Sequence, residues 1–276
     1  MPDRGEADRR EPDRDEVEWR KLRADQLREH ARLDAIVIAP VAALEQHGPH
    51  LPVEVDTILG ETIAVRTARK ALARGQPTLV LPVIWTGLSE HHMSFGGTVS
   101  LDFPAFSMLI EGVVRSVLRH GFRRIVLLNA HGGNENALRT ITDELTPKLG
   151  VPLVQFTYWY AAAAPIAKIL EKQGGLQHAC EAETSMMMAV RPQLVAADRI
   201  GLARSNSAPS LSEVVGGGVY RWRTIGSRSG SGVIGSPEAA TPEKGERLFD
   251  AITDSLSQKL CNPDLWQLPW QAEQPD

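Results

Sequence analysis

Residues 40–56 of the chain read PVAALEQHGPHLPVEVD and contain Glu45, His47 and Asp56. An apolar, β-branched run before this stretch predicts a strand, and the pattern from Thr57 predicts a helix. We therefore expect the three side chains on a loop at the carboxyl end of a strand, where open α/β sheets place their sites. Two carboxylates and an imidazole in one loop favour a metal ion, because neighbouring anionic oxygens repel each other unless a cation compensates them. The triplet alone leaves open a polar loop in which His47 serves only as a cap.

Strand and helix patterns alternate along the chain, with short connections between them. The predicted strands cover residues 35–41, 78–84, 124–128 and 153–158. The predicted helices cover residues 24–31, 56–72, 103–120, 135–149, 161–173 and 181–190, with a last helix beginning at Thr241. This alternation indicates right-handed crossovers, and it predicts an α/β fold with a mostly parallel sheet and helices on both faces.

The composition predicts one domain with two short ends. Residues 1–18 are dense in Asp, Glu and Arg and lack an apolar core, which predicts a disordered, charged leader and not a signal peptide. Residues 19–262 are predicted to form a single domain, and residues 263–276 a C-terminal tail. Residues 204–236 are rich in Ser and Gly and cannot build a core, so we predict an ordered loop that covers the site.

Charge and cysteine content limit the classes of partner and the compartment. The 276 residues are 42% hydrophobic and 23% charged with a net charge of -4, so nothing suggests nucleic acid or an anionic membrane. The most apolar span, residues 151–170, contains Pro165 and Lys168 and predicts a buried strand and a helix rather than a membrane span. Cys180 and Cys261 form no CxxC motif, so a reducing, cytoplasmic location is expected.

Three further motifs offer candidate site residues. His131, in the HGGN motif, follows the third predicted strand directly, although a strand-to-helix turn would explain the motif as well. Glu181 and Glu183 begin an apolar helix, where a metal, an arginine or simply the helix dipole could favour a glutamate. His91 and His92 are predicted on a loop that faces the same edge of the sheet. They could contact the substrate or the metal ligands, or they could be solvent-exposed. Phosphate-binding glycine motifs are absent after the first strand, which argues against a nucleotide site.

Five segments together give the chain a family resemblance from about Trp19 to Leu260. They read EQHGPHLPVEVD, GLSEHHMSFGGTVSL, LNAHGGN, HACEAETS and VIGSPEAATPEKGERL, in this order. The chain resembles the creatininase (creatinine amidohydrolase) family. The resemblance implies a three-layer α/β/α sandwich, two divalent metal ions per chain, and a homo-oligomer that in many members is a hexamer.

The resemblance also implies roles for individual residues of this chain. Asp56 resembles the carboxylate that bridges two metals. Glu45 and His131 resemble ligands to one metal, and His47 resembles a ligand to the other.

The fifth ligand departs from creatininase proper. The glutamate that follows the motif histidine by two residues in creatininase is replaced here by Gly133, so the chain resembles the HGGN branch of the family. Glu183 is then the expected replacement, with Glu135 as the weaker candidate. Cys180 stands where many relatives have a glycine.

The resemblance and the residue types together predict a mechanism. Imidazole and carboxylate ligands suit Zn²⁺, Mn²⁺ or Fe²⁺. Two metals sharing a carboxylate can hold a bridging water, lower its pKa from about 15.7 to roughly 7, and supply a hydroxide that attacks a polarised carbonyl. His178 is the candidate proton shuttle for the leaving nitrogen, unless it is a structural histidine. His178 and the ligand Glu183 are thus the predicted catalytic residues.

The predicted activity is hydrolysis of a C–N bond in a small, cyclic amide. The alternatives are a hydrolase or lyase acting on a keto-sugar or lactone, and a metal-binding protein without turnover. Trp159 and Trp222 are predicted substrate contacts together with His91 and His92, while Trp222 could instead be an oligomer contact. Trp85 and Tyr160 are further aromatic candidates.

Overall fold

A parallel four-stranded sheet forms the centre of the described part of the chain. The computed structural model describes residues 15–204, 219–268 and Trp270. The strands are β1 (Ile36–Val41), β2 (Thr78–Val80), β3 (Arg124–Asn129) and β4 (Leu153–Thr157). They lie in the order β2-β1-β3-β4, and each neighbouring pair is parallel. The predicted α/β fold with a parallel sheet is confirmed.

Helices cover both faces of this sheet. In chain order they are α1 (Ala24–Arg32), α2 (Val55–Ala73), α3 (Phe103–Arg119), α4 (Glu135–Leu149), α5 (Tyr158–Ala161), α6 (Ala163–Ala167), α7 (Glu181–Val190) and α8 (Pro242–Leu260). Helices α2, α7 and α8 pack into one apolar core, and α3 and α4 pack into a second core with part of α1. The fold is therefore a three-layer α/β/α sandwich. Among the described residues, no helix combines the length and apolar character needed to cross a membrane.

Strand β1 separates the two cores. Ile36 and Ile38 belong to the core beneath α2, whereas Val37, Ala39 and Val41 belong to the core beneath α3 and α4. All five side chains are almost completely buried, at 0–1% exposure. Successive side chains of a strand point to opposite faces, so a strand between two helical layers must be apolar at every position.

The register of β1 and β3 brings two loops to one edge. Val41, the last residue of β1, pairs with Asn129, the last residue of β3. The residues that follow, including Glu45 and His131, therefore leave the sheet side by side. The sheet places the candidate site where the predicted topology requires it.

Two predicted elements differ in length from those observed. Strand β2 ends at Val80. The Leu81 N–H still donates to the Ile38 carbonyl at 2.9 Å, but the next hydrogen bond runs from the Ile84 N–H to the Pro40 carbonyl at 2.9 Å, one residue later than a regular parallel ladder requires. The helix predicted over residues 161–173 is wrong. Two short helices, α5 and α6, replace it, and Pro165 lies in the first turn of α6, where a missing N–H costs no helical hydrogen bond.

Parts of the predicted leader and tail pack against the domain. Residues 1–14 lie outside the described residues. Val17, assigned to the leader, is 1% exposed, and its carbonyl accepts a hydrogen bond from the Val80 N–H at 2.7 Å. Trp266, assigned to the tail, packs against the core beneath α2, and its Nε1–H donates to the Leu260 carbonyl at 3.0 Å. The packed domain thus extends past both predicted boundaries.

Candidate metal centre

Five side chains converge at the carboxyl edge of the sheet. Glu45 and His47 lie on the loop after β1, and His131 follows β3. Asp56 lies in the first turn of α2, and Glu183 in the first turn of α7. All five are only 1–4% exposed. The structure therefore brings together the five residues predicted as metal ligands.

The five residues form two groups that share Asp56. In the first group, His131 Nδ1 lies 3.2 Å from Glu45 Oε1 and 3.1 Å from Asp56 Oδ2. In the second group, His47 Nε2 lies 3.2 Å from Asp56 Oδ1 and 4.0 Å from Glu183 Oε2. Each oxygen of Asp56 faces a different group, which is the arrangement that a bridging carboxylate needs.

Backbone carbonyls fix which ring nitrogen of each histidine faces the carboxylates. His47 Nδ1 lies 3.0 Å from the Glu45 carbonyl, and His131 Nε2 lies 3.1 Å from the Leu88 carbonyl. A carbonyl can only accept, so these nitrogens carry the hydrogen in the neutral rings. The opposite nitrogens present lone pairs to the carboxylates. Metal-binding histidines in proteins are held in this way.

The groups leave several buried polar atoms unsatisfied. Within the described residues, Glu45 Oε2, His47 Nε2 and Asp56 Oδ2 have no hydrogen-bond partner. Buried polar atoms almost always have partners, and lone pairs that face one another need a cation between them. The donors are nitrogen and oxygen without thiolate, which suits Zn²⁺, Mn²⁺ or Fe²⁺. The residues present therefore fit a divalent metal ion.

The electrostatics of the pocket point the same way. Burial alone would lower the pKa of His47, but the charges of Asp56 and Glu183 raise it to about 9. Burial raises the pKa of Glu183 to about 8, and the nearby charge of Asp56 adds to the rise. Burial would also raise the pKa of Asp56, but His47 and His131 hold it well below its usual range. The pocket thus attracts positive charge, which a metal ion can supply.

The two other glutamates considered from the sequence lie outside these groups. Glu135 forms an ion pair with Arg139 at 2.8 Å. Glu181 is fully buried, and its carboxylate accepts from Lys244 Nζ at 2.8 Å and from the Glu171 N–H at 3.0 Å. The partner of Glu181 is therefore a lysine, which sequence reasoning missed because the two residues lie on different helices.

Close packing explains why the second glycine of the HGGN motif, Gly133, carries no side chain. A side chain there would collide with the Leu88 carbonyl, with His131 Nε2 and with His91. Asn134 of the same motif accepts from the Leu88 N–H at 2.9 Å and donates to the Ala42 carbonyl at 3.0 Å. The motif therefore fixes the loop that carries His131.

A cavity of about 420 Å³ opens onto the two groups. Its wall includes four of the predicted ligands, the four predicted catalytic or substrate contacts His91, His92, Trp159 and His178, and also Glu135, Tyr160, Ile225, Arg228 and Ile234. His178 Nδ1 lies 3.7 Å from Glu45 Oε1. Burial lowers the pKa of His178 well below its usual value, so the ring is neutral at pH 7.

His92 is buried, and Trp222 lines a different cavity from the one at the two groups. His92 is 2% exposed, and its Nε2 lies 3.2 Å from Glu45 Oε1, so the alternative of a solvent-exposed histidine is wrong. Trp222 lines a neighbouring cavity of about 660 Å³ instead of the cavity at the two groups. The two cavities share His91, Gly132 and Arg228. Residues 205–218 of the predicted covering loop lie outside the described residues, while its later part lines both cavities.

Comparison with known proteins identifies the family. A family model described as creatinine amidohydrolase matches residues 20–260. The chain therefore belongs to the creatininase family, and it is a hydrolase. The predicted resemblance is confirmed.

Similar proteins include two named enzymes. A mycofactocin precursor peptide peptidase from Mycobacterium ulcerans (strain Agy99) is 32% identical over 230 residues, which cover 82% of this chain and 84% of that protein. A creatinine amidohydrolase from Pseudomonas putida is 28% identical over 261 residues, which cover 89% and 94%. Both relatives hydrolyse C–N bonds.

Solved structures share the fold. A crystal structure of creatinine amidohydrolase superposes with a TM-score of 0.75 at 24% identity, covering 88% of this chain and 96% of that one. Two other solved creatininases of similar likeness are described as a manganese form and as a Zn-Zn type.

Proposed function

We propose that this protein is a dinuclear metal-dependent amidohydrolase, with one metal held by Glu45, Asp56 and His131 and the other by His47, Asp56 and Glu183. The observation that carries the proposal is the carboxylate of Asp56, which offers one oxygen to each group. The unsatisfied buried atoms of the pocket and the manganese and zinc forms of related creatininases support it.

Two bound metals would supply hydroxide from water at neutral pH and polarise an amide carbonyl. The chain's own groups would do the rest. His178 presents Nδ1 beside Glu45, and its other ring nitrogen lies 2.9 Å from the Gln46 carbonyl, so Nδ1 is free to take a proton and to return it to a leaving nitrogen. Trp159 and Tyr160 offer flat apolar faces in the cavity wall.

The substrate we propose first is a small, cyclic amide. A cavity of about 420 Å³ falls within the usual size range of small-molecule sites. The creatinine substrate named for the Pseudomonas putida relative supports the same choice.

A second candidate is an amide bond within a peptide. The observation that favours it is the neighbouring cavity of about 660 Å³, which would leave room for further residues of a chain lying past His91 towards Trp222. The peptidase name of the Mycobacterium ulcerans relative supports the same candidate.

One experiment tests these candidates together. The protein is loaded with Mn²⁺ or Zn²⁺ and assayed on lactams, formamides, short peptides and lactones, with and without EDTA. We expect metal-dependent hydrolysis of an amide, and Glu135→Gln should keep both metals because Glu135 lies outside both groups. Protein that binds two metals yet hydrolyses no amide would refute the proposed activity, and preference for peptides over cyclic amides would favour the second candidate.

The cytoplasmic location and the homo-oligomeric, hexameric assembly stay predictions. Light scattering on the purified protein measures the assembly directly.

A further inference from the structure

We propose that Gln46 is a positioning residue that sets the tautomers of two active-site histidines and, through one of them, orients the metal ligand Glu45. This inference rests on the proposed function of the site. Gln46 stands between Glu45 and His47 in the chain, and it is 7% exposed. Sequence reasoning assigned it no role.

The backbone of Gln46 acts on His178. The Gln46 carbonyl lies 2.9 Å from His178 Nε2. Because a carbonyl only accepts, Nε2 of the neutral ring carries the hydrogen. The lone pair is then on Nδ1, which is the nitrogen on the side of Glu45. The proposed proton shuttle therefore begins its cycle with the correct nitrogen unprotonated.

The orientation of the Gln46 side-chain amide is fixed by its oxygen. Oε1 lies 2.9 Å from the backbone nitrogen of Gly48, which can only donate. The amide nitrogen consequently faces the other way, towards His92 Nδ1 at 2.9 Å, the Gly232 carbonyl at 3.1 Å and His178 Nε2 at 3.1 Å. An amide has two hydrogens, and His178 Nε2 is already a donor. The two hydrogens therefore go to His92 Nδ1 and to the Gly232 carbonyl.

His92 transmits this constraint to Glu45. Its Nδ1 accepts from Gln46, so its Nε2 carries the hydrogen, and this nitrogen lies 3.2 Å from Glu45 Oε1. His131 and His178 also approach Glu45, but both present lone pairs to it. Of these three histidines, His92 is thus the one that carries a hydrogen on the nitrogen near Glu45 Oε1. Groups that hold a metal ligand in this way commonly contribute a factor of about 10–100 in metal affinity or activity.

The neighbouring glycines show that the position of Gln46 is tightly constrained. A side chain on Gly232 would collide with the Gln46 amide, and one on Gly48 would collide with Val233. Both glycines have positive φ, 78° and 69°. The loop that carries Gly232 thus closes directly onto the Gln46 amide, which also ties the cavity wall to the metal ligands.

The test uses Gln46→Met, which keeps the length of the side chain but removes both of its hydrogen-bonding groups. We expect the affinity for one of two Zn²⁺ ions to fall about 10–100-fold, with a fall in kcat and little change in KM. The matched control is Gln26→Met, since Gln26 is equally buried but caps α1 away from the site. That control should keep both zinc affinities.

A second measurement needs no variant and no activity. Nitrogen NMR of zinc-loaded, ¹⁵N-histidine-labelled wild-type protein reports the tautomer of each ring. We expect His92 and His178 both to carry hydrogen on Nε2, and His92 to lose this preference in Gln46→Met. Either ring protonated on Nδ1 in the wild type, or unchanged zinc affinity in a folded Gln46→Met, would overturn the proposal. Both readouts remain informative if the protein proves to hydrolyse no amide.

Discussion

Lys244 offers a direct test of the energetics that hold the first turn of α7. Its side chain is 8% exposed, and Nζ lies 2.8 Å from Glu181 Oε1, 2.6 Å from the Ala239 carbonyl and 3.1 Å from Glu171 Oε1. Glu181 is fully buried. Lys244→Met keeps most of the apolar stem but leaves the Glu181 carboxylate buried without its cation.

The expected loss of stability follows from that geometry. Removing one partner of a buried ion pair typically costs about 3–5 kcal/mol. Two backbone N–H groups, those of Glu171 and Lys172, still donate to Glu181, so we expect the lower end, about 3 kcal/mol. Equilibrium unfolding in urea at pH 7 and fixed protein concentration measures the change.

Two further variants sharpen the measurement. Lys70→Met removes the partly exposed partner of the exposed Asp250, 3.4 Å away between α2 and α8, and should cost less than about 1 kcal/mol. Glu181→Gln combined with Lys244→Met should be more stable than the two single changes predict, by about 1–3 kcal/mol. Equal losses for Lys244→Met and Lys70→Met would refute the reasoning.

The loss of stability caused by Lys244→Met should also depend on pH. Burial would raise the pKa of Glu181, but Lys244 and the two backbone donors lower it below the ordinary 4.5. A carboxylate whose pKa is lower in the folded protein than in the unfolded chain stabilises the fold at pH values above its unfolded pKa. This stabilisation is lost as the pH falls through the folded pKa. The difference between wild type and Lys244→Met should therefore shrink below about pH 4.5.

Further predictions concern the metal centre and the cavities. Asp56→Ala should lose metal from both sites and abolish activity, and elemental analysis that finds one site full would exclude the bridging role. Glu183→Gln should lose one metal while Glu135→Gln keeps two, which an anomalous-scattering map can check. Chelation of bound metal should lower the thermal midpoint, since a ligand at 100 times its Kd contributes about 2.7 kcal/mol; an unchanged midpoint would contradict metal binding to the folded state. Trp222→Ala should raise KM or lower kcat without changing metal content, and normal kinetics or a smaller assembly would make Trp222 structural.

Local sequence signals were enough to place most residues of the candidate metal centre at one edge of the sheet. Glu45 and His47 follow a strand that is apolar at every position, and Asp56 begins the next helix. His131 follows another such strand, and neighbouring parallel strands end at one edge. Glu183 was different, because no periodicity says which helix returns to that edge, and the family resemblance was needed to select it.

The missed features depend on contacts between distant segments. The burial of His92 comes from the packing of its loop against Gln46 and Glu45. The Lys244–Glu181 pair joins two helices that are 63 residues apart at these positions. Adjacent histidines and first-turn glutamates look alike in sequence whether they are exposed or buried, so local patterns could not decide these cases.

Two elements differ in length from their predictions because of backbone hydrogen bonding. The apolar pattern of residues 78–84 predicted a strand throughout, but after Leu81 the hydrogen bonds to β1 shift by one residue and the regular ladder stops. The pattern of residues 161–173 predicted one helix, although Pro165 favours the start of a new one. Hydrophobic periodicity does not register a missing N–H.

The division between the sheet edge and the loop of residues 219–234 has an evolutionary consequence. The proposed ligands are anchored in the scaffold, whereas Trp222 and Arg228 of the cavity wall lie on the loop before Gly232, the residue that contacts Gln46, and belong to neither proposed metal group. Creatinine and a precursor peptide, the substrates named for two relatives, differ greatly in size. We therefore expect that substitutions in residues 219–230 can alter substrate preference while the proposed ligands are kept, and grafting these residues between relatives would test this.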